Sequence, residues 1–269
     1  MIDIKNFESH LLRSDLAKNS IDSYLWTVNY FATYYGEFSK KNLLAYKGFL
    51  VEKYKPQTVN LRLQAINRYL DCIGKERWKL KFVKVQQKNF LENVISNADY
   101  LFLKNSLKKD GLIDWYFVVW FLTATGARVS ELLQIKVEHV KIGYLDLYSK
   151  GGKVRRIYIP KILVNETLDW LSQRGISSGY LFLNRYGERI TARGISQQLK
   201  FYASKYGLNP KVVYPHSFRH RFAKNFLEKF NDIALLADLM GHESIETTRI
   251  YLRRTSAEQQ EIVDNVITW

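Results

Sequence analysis

Residues 215–251 read PHSFRHRFAKNFLEKFNDIALLADLMGHESIETTRIY. Turn and capping signals in this stretch predict three consecutive helices, which open at Ser217, Asp232 and Ser244. The second helix should end at Gly241, because glycine readily adopts the left-handed conformation that closes a helix. The C-terminal part of the chain is therefore predicted to be helical.

The same stretch carries several side chains that can act on a charged ligand. His216 and Arg219 are three residues apart, so on a helix they share a face and can converge on one ligand. His242 follows the turn, where we expect it to lie at an exposed corner, and Tyr251 comes nine residues later. Each feature is weak alone, but their order along the chain is informative.

Upstream, the sequence predicts a buried helix and then a β-hairpin, for which it carries the chain's one clear β signal. Residues 115–123 are almost entirely apolar and should form a helix that ends near Gly126, followed by a short helix in TGARVSEL, residues 125–132. Residues 144–148 and 154–159 alternate in polarity, and KGGK at 150–153 joins them as a hairpin loop.

The N-terminal part predicts a separate helical domain. One helix has an apolar stripe from Ile21 to Tyr35, with Asn19 and Ser20 as its candidate caps and Gly36 as its stop. A second helix follows Pro56, and its opposite face is rich in donors suited to phosphates and base edges. The candidate DNA contacts on that helix are Arg62 and Arg68, and the candidate groove-facing side chains beside them are Asn60, Gln64 and Asn67. A plain solvated polar face is an equally good interpretation of each residue.

Residues 78–89, WKLKFVKVQQKN, lose the helical period and carry four lysines. We interpret them as a basic linker and place the domain boundary near residue 85, which divides the chain into residues 1–85 and 86–269. The first 80 residues carry 13 Lys and Arg against 8 acidic residues, and the remainder carries 28 against 18. Both parts are therefore basic.

Composition restricts the class of protein. The 269 residues are 46% hydrophobic, which excludes a disordered chain, and the net charge of +15 favours a polyanionic partner, above all nucleic acid. Cys72 is the single cysteine, so an intramolecular disulfide is excluded and no Cys/His cluster has zinc-ligand spacing. With no targeting or membrane-spanning segment in the sequence, we expect a cytoplasmic protein.

Taken in order, these motifs closely resemble those of the tyrosine recombinase (phage integrase) family, particularly its compact Xer-like members. The matching residues are Arg128 in TGARVSEL, Lys150 in the hairpin, His216 and Arg219 in HxxR, His242 in GH, and Tyr251. The resemblance implies a mainly α fold with a small β-sheet: an N-terminal helical (SAM-like) core-binding domain and an α+β catalytic domain. The specific motifs that carry the resemblance lie in the chain from about residue 90 onwards.

The resemblance also implies roles for these residues. Tyr251 would attack a DNA phosphate and form a 3′-phosphotyrosyl link. Arg128 and Arg219 would hold the phosphate oxygens, and His242 would donate a hydrogen bond to them. His216 would accept a proton or bind the phosphate, and Lys150 would protonate the leaving 5′-hydroxyl.

The implied partners are double-stranded recombination sites, a homo-tetramer on DNA (a dimer of dimers) and, in some systems, accessory DNA-bending proteins. No cofactor, metal ion, ATP or membrane is implied. Integration, excision, inversion and dimer resolution are all open outcomes. The apolar spacing in residues 257–269 would let the tail pack on a neighbouring protomer, or else on its own domain.

Several alternatives stay open. Arg128 could serve only as a structural partner of Glu131, which we otherwise expect to orient its neighbours. Family hairpins usually read GKGxK, but Ser149 replaces the first glycine here, so Lys153 competes with Lys150 as the catalytic lysine. His220 is more typical of a structural residue. A type IB topoisomerase and a non-catalytic DNA-binding protein of the same fold are the rival functions.

Overall fold

In a computed structural model, the protein is described for residues 3–14, 16–86, 93–148, 154–242, 244–252, 260 and 263–266. The chain divides into two compact units, residues 1–87 and 88–269. The predicted fold class is confirmed, because the described residues are mainly helical with one small antiparallel sheet. None of the described helices is both long enough and apolar enough to cross a membrane.

The N-terminal unit is a bundle of four helices. They are α1 (Ile4–Leu12), α2 (Lys18–Tyr35), α3 (Lys40–Lys53) and α4 (Pro56–Cys72). Their apolar faces bury one core, in which Phe31 and Leu63 are fully enclosed. Helix α2 ends at Gly36 as predicted, but it begins at Lys18, and neither predicted capping residue closes its start.

Part of the predicted linker packs on this bundle. A 3₁₀ turn, Glu76–Trp78, follows α4, and Leu80 is buried in the core. The amide of Asn67 bonds both backbone groups of Leu80 at 2.8 and 2.9 Å, and Asn60 bonds Val83 in the same way. The predicted nucleic-acid role of these two asparagines is therefore wrong, because they are already paired with the backbone.

The C-terminal unit is built around one helix whose residues 116–123 are all buried. Its helices are α5 (Asn97–Lys109), α6 (Ile113–Thr125), α7 (Val129–Leu132), α8 (Val137–Ile142), α9 (Lys161–Gln173), α10 (Ala192–Lys205), α11 (Pro215–Phe230), α12 (Ile233–Met240) and α13 (Ile245–Arg249). Helix α6 is the apolar helix predicted from the sequence, and it packs against α5, α9 and α11. It therefore fixes α11, which carries the HxxR motif.

The hairpin forms the sheet of this unit. Strands β1 (Tyr144–Tyr148) and β2 (Val154–Tyr158) pair antiparallel, with Tyr148 opposite Val154 and Tyr144 opposite Tyr158. Side chains alternate between the two faces of a strand, so Arg155 and Arg156 point to opposite sides.

The helix ends show how the chain reaches the site. Asp232 and Ser244 accept backbone N–H groups at the starts of α12 and α13, which confirms both predicted caps. Helix α11 begins at Pro215, two residues earlier than predicted, because proline suits the first turn, where its missing N–H is not needed. Tyr251 lies in a 3₁₀ turn, Ile250–Leu252, directly after α13.

Candidate active site

Five elements of the C-terminal unit bring their side chains together. Arg128 stands at the start of α7, Arg155 on β2, Arg219 on α11, His242 after α12, and Tyr251 after α13. Four of these five were predicted from the sequence, and hydrogen bonds and ring contacts link them into one cluster.

Arg219 is the centre of the cluster and is 1% exposed. Its Nη1 donates to the carbonyl oxygen of Gly126 at 2.7 Å, and its Nη2 donates to that of Met240 at 2.6 Å. Gly126 has a φ of +61°, and a Cβ there would overlap the ring of Phe222, so the turn requires glycine. Burial, with the charges of Arg128 and Arg155, lowers the pKa of Arg219 to about 10, so the guanidinium stays charged at neutral pH.

Glu131 is the carboxylate that these arginines share. It accepts the backbone N–H of Arg128 at 2.7 Å and Nη1 of the same residue at 2.8 Å. Its Oε1 also accepts Nη1 of Arg155 at 2.6 Å, and Nη1 of Arg219 lies 3.8 Å from its Oε2. Burial opposes ionisation, but the charge of Arg155 and the bonds from Arg128 outweigh it and lower the pKa of Glu131.

Arg128 is therefore both a partner of Glu131 and an open cation. Its side chain remains 41% exposed although it pairs with the carboxylate. It lines two cavities: one of about 810 Å³ shared with His216, Lys200 and Lys211, and one of about 1140 Å³ shared with Arg155 and His242. Because the guanidinium faces both openings, it can still meet an anion that enters the site.

His242 is held more tightly than the sequence predicted. Its Nε2 lies 3.1 Å from Nη2 of Arg219, and its Nδ1 lies 2.7 Å from the hydroxyl oxygen of Thr248. The ring is half-buried rather than exposed as expected, because these two contacts draw it into the cluster while it still lines the cavity of about 1140 Å³. Burial and the charges of the neighbouring arginines lower the pKa of His242 to about 4, so the imidazole is neutral at pH 7.

Tyr251 is 4% exposed and packs beside two histidines. Its ring centroid lies 6.2 Å from that of His242, nearly parallel, and 5.2 Å from that of His220. Burial raises the pKa of the Tyr251 phenol, and the positive charges of Arg219 and Arg128 oppose that rise. The phenol thus lies within reach of the field of the arginine pair.

The two histidines of α11 differ in exposure. His216 is exposed and lines the cavity of about 810 Å³, where partial loss of hydration and the charge of Arg219 lower its pKa. His220 is buried, its ring lies 4.6 Å from that of His216, and its Nδ1 has no hydrogen-bond partner. Burial lowers the pKa of His220 to about 4. His216 and Arg219 share a helix, but only Arg219 is enclosed.

Arg155 and Thr248 were missed at the sequence level. An arginine that follows a KGGK loop in an alternating strand gives a weak signal, since its inward direction becomes clear only when the strand register is known. Thr248 carries no motif of its own. It contacts the site only because α13 folds back toward the end of α12.

Some predicted residues lie elsewhere. Lys150, Lys153 and most of residues 257–269 lie outside the described residues. Arg62 and Arg68 belong to the N-terminal unit, where the guanidinium of Arg62 lies 4.2 Å from the ring centroid of Trp26 and donates to Thr27 at 2.6 Å. Across the part of the chain that the structure describes, no group of three His, Cys, Asp or Glu is placed to hold a metal ion.

The chain is similar to known proteins in sequence. The family model described as the phage integrase family matches residues 89–258. Tyrosine recombinase XerA of Pyrococcus furiosus is 30% identical over 270 residues, covering 97% of this chain and 92% of that protein. Tyrosine recombinase XerC of Salmonella typhi is 36% identical over 131 residues, covering 47% of this chain and 43% of that one.

A solved structure shares the fold. The Tn1549 transposon integrase in complex with circular intermediate DNA aligns with a TM-score of 0.73 at 16% identity, covering 99% of this chain and all of that one.

Proposed function

The chain belongs to the phage integrase family of tyrosine recombinases, and from that premise we propose that it breaks and rejoins DNA at specific sites with Tyr251 as its nucleophile. The observation that carries the proposal is the placement of Tyr251 beside His242, which in turn contacts the buried Arg219. A phenol, a neutral imidazole and fixed guanidinium groups are the side chains that such a reaction uses.

The proposed step balances without an external energy source. The phenol oxygen of Tyr251 attacks the scissile phosphorus while its proton passes to a base, for which His216 is the candidate. The bond between phosphorus and the 5′-oxygen breaks, and that oxygen takes a proton from the candidate acid Lys150 and leaves as a 5′-hydroxyl. The resulting 3′-phosphotyrosyl ester keeps the energy of the broken bond, so a 5′-hydroxyl from another strand can reverse the step and complete an exchange. ATP is not needed.

Fixed cations would stabilise the charge that develops on the phosphate. Arg128 is exposed to two cavities and can meet a non-bridging oxygen directly, whereas Arg219 is enclosed and would reach one by exchanging its contact with His242 for the phosphate. His216 would accept a proton or bind the phosphate. Glu131 would orient the arginines, since it bonds Arg128 twice.

His242 would donate a hydrogen bond to the phosphate. In the present arrangement its Nε2 accepts from Arg219, but the hydroxyl of Thr248 can donate as well as accept. The ring can therefore move its hydrogen to Nε2 when a phosphate oxygen draws the guanidinium away. Lys150 would protonate the leaving oxygen, with Lys153 as the competing candidate.

The proposed reaction does not depend on metal ions, because arginine side chains supply the positive charge that divalent cations supply in two-metal nucleases. Strand cleavage should therefore proceed in EDTA. A strict requirement for added magnesium would contradict this part of the proposal.

The two units have separate proposed tasks. We assign residues 1–85 as the core-binding domain and residues 86–269 as the catalytic domain, both on double-stranded DNA in the cytoplasm. Arg62 and Arg68 would contact DNA from α4. Four protomers would assemble as two pairs on two sites, with the C-terminal tail packing on a neighbour and with accessory DNA-bending proteins where the system uses them.

The biological outcome is integration, excision, inversion or dimer resolution. The relatives reported above are named as recombinases and an integrase, which favours neither a topoisomerase nor a non-catalytic binding protein.

The decisive experiment traps the covalent intermediate. The protein is incubated with fragmented genomic DNA of its source organism, denatured, and captured with any attached DNA, whose ends are then sequenced. We expect one recurrent cleavage site for the wild type and no adduct for Tyr251→Phe. Tyr202→Phe is the matched control, since Tyr202 is 5% exposed in the same unit, and it should keep the adduct. An adduct that survives Tyr251→Phe would refute the assignment.

A further inference from the structure

Arg155 makes three bonds to two elements outside its own strand. Its Nη1 donates to Glu131 at 2.6 Å, while its Nε and Nη2 donate to the carbonyl oxygen of Leu239 at 3.1 and 2.9 Å. Its side chain is only 13% exposed. The neighbouring Arg156 points the other way and pairs with Asp146 on the outer face of the hairpin. Two adjacent arginines of one strand thus have different surroundings.

The contact with Leu239 lies at the C-terminal end of α12. The last carbonyls of a helix lack partners within the helix, and they form the negative end of its dipole. Arg155, on the hairpin, donates a hydrogen bond to the carbonyl oxygen of Leu239, and Arg219, on α11, donates one to the carbonyl oxygen of Met240. Two guanidinium groups therefore fix the end of α12, which only Gly241 separates from His242.

Gly241 shows how closely Arg155 approaches this turn. Gly241 has a φ of +60°, and a Cβ built on it would overlap Cδ of Arg155. The side chain of Arg155 thus occupies the space that any other residue at position 241 would need. The turn at Gly241, which places His242, is therefore complementary in shape to the side chain of Arg155.

Arg155 also balances the charge of Glu131. Without Arg155, the carboxylate would be shared by Arg128 and Arg219 alone, and it would neutralise more of the charge that they can direct at a phosphate. With Arg155 present, three guanidinium groups surround one carboxylate. The cluster therefore keeps an excess of positive charge.

We propose that Arg155 is a positioning residue for strand cleavage, which joins the β-hairpin to the end of α12 and to Glu131 and thereby sets the places of His242 and Arg128. The inference rests on the proposed function. It assigns the hairpin a second task besides carrying the candidate lysines, because Arg155 is the second residue of strand β2, close in sequence to both of them.

The test separates DNA binding from the chemical step. A duplex that carries the site mapped with the wild type, nicked so that cleavage becomes irreversible, is used to measure both the dissociation constant and the rate of adduct formation at saturating protein. For Arg155→Ala we expect a rate about 10- to 100-fold below the wild type, since small misplacements of reacting groups cost that much. The dissociation constant should change less than about threefold. The matched control, Arg156→Ala, removes the same charge one residue away and should leave the rate unchanged.

Two further measurements keep the result interpretable. Millimolar guanidinium chloride, matched in ionic strength with potassium chloride, should restore part of the rate of Arg155→Ala and have no effect on Arg156→Ala. Arg155→Lys guards against a folding defect: it can keep the charge beside Glu131 but cannot make the forked contact with Leu239, so its rate should be intermediate.

Arg155→Ala and Arg155→Lys cleaving as fast as Arg156→Ala would overturn the inference and leave the proposed function standing. Two other results for Arg155→Ala would also overturn the inference and leave the proposed function standing. One is a loss of cleavage rate that weaker DNA binding explains in full, and the other is a loss of rate that guanidinium does not restore. A wild-type protein that forms no adduct would instead overturn the proposed function, and this inference with it.

Discussion

Nη2 of Arg219 lies 3.1 Å from Nε2 of His242. A guanidinium group can only donate hydrogen bonds, so this imidazole nitrogen must accept. The hydrogen then resides on Nδ1, which donates to the hydroxyl of Thr248 at 2.7 Å. The pair thus fixes both the charge and the tautomer of a residue whose proposed partner is a phosphate.

We expect His242 in the free protein to be neutral, with its hydrogen on Nδ1. Burial and the arginine charges hold its pKa at about 4, well below the usual 6.5. Nitrogen-15 NMR of histidine-labelled protein should show no titration of His242 between about pH 5.5 and 8. Thr248→Val, which removes the hydroxyl partner of Nδ1 at nearly the same volume, should change the nitrogen shifts of His242. A midpoint near 6.5 in the wild type would contradict the assignment.

The stability of the protein should fall in mild acid. His220 and His242 have folded pKa values of about 4, whereas an unfolded chain titrates them near 6.5. Between these two values the unfolded state binds more protons, so the free energy of unfolding decreases as the pH falls from about 6.5 toward 4 and is unaffected by these groups above that range. Each fully shifted histidine contributes up to about 1.4 kcal/mol per pH unit.

Urea unfolding at several pH values measures this dependence. His220→Gln should flatten the curve, because it removes the more deeply buried of the two histidines. An equal slope in the wild type and in His220→Gln would show that the imidazole of His220 is not responsible.

Glu131→Gln should be strongly destabilising. The substitution leaves Arg155 and Arg219 without a neutralising charge in a buried cluster, and loss of one partner from a buried pair costs about 3 to 5 kcal/mol. Because Arg128 is partly exposed, we expect about 3 kcal/mol by urea unfolding. The control is Glu246→Gln, which removes an exposed partner of Arg249 and should cost less than about 1 kcal/mol. Equal costs for the two variants would refute the buried-charge argument.

The sequence predicted a helix correctly where periodically spaced apolar residues coincide with a capping or terminating residue. The stripe that ends at Gly36, the cap at Asp232 and the apolar helix α6 are confirmed, since each combines strong periodicity or apolarity with a stop or cap residue. Helices α1, α3, α8 and α9 were not predicted. In α3, four lysines, a glutamate, an asparagine and a glycine interrupt the apolar pattern, so tertiary packing determines the helix.

Only those residues of the site that belong to a short sequence motif could be predicted. The order of HxxR, GH and Tyr251 predicted which side chains meet, because each is tied to a short local pattern. Arg155 was missed because its role depends on strand register and on the approach of α12, both of which are long-range. The asparagines of α4 were misread for the same reason: their partners lie on a segment more than ten residues away.

The salt dependence of DNA binding should locate the contacts of α4. If Arg68 meets a phosphate, Arg68→Ala should reduce the slope of log binding constant against log salt by about one. Arg62→Ala should do the same and also lower thermal stability, because Arg62 packs over Trp26 and bonds Thr27. Glu52→Gln, a change of an exposed acid on α3, is the control for net charge alone. Unchanged slopes in both arginine variants would remove α4 from the interface.

The choice between Lys150 and Lys153 can be settled with a sulfur leaving group. A proton donor helps the 5′-oxygen depart, because an alkoxide is a poor leaving group, whereas a thiol has a pKa near 8.5 and departs readily without a proton. On ordinary DNA the alanine variant of the true acid should form the phosphotyrosyl adduct about 100-fold or more slowly. On DNA with sulfur at the 5′ bridging position it should approach the wild-type rate.

The other lysine variant should show no such selective rescue, and Tyr251→Phe should be inactive on both substrates, which confirms that the adduct still forms through the phenol. We expect Lys150→Ala to be rescued. Selective rescue of Lys153→Ala would transfer the role to Lys153, and rescue of neither would mean that the departing oxygen takes its proton from another group, of which His216 is the first to test because it is exposed to the cavity beside Arg128.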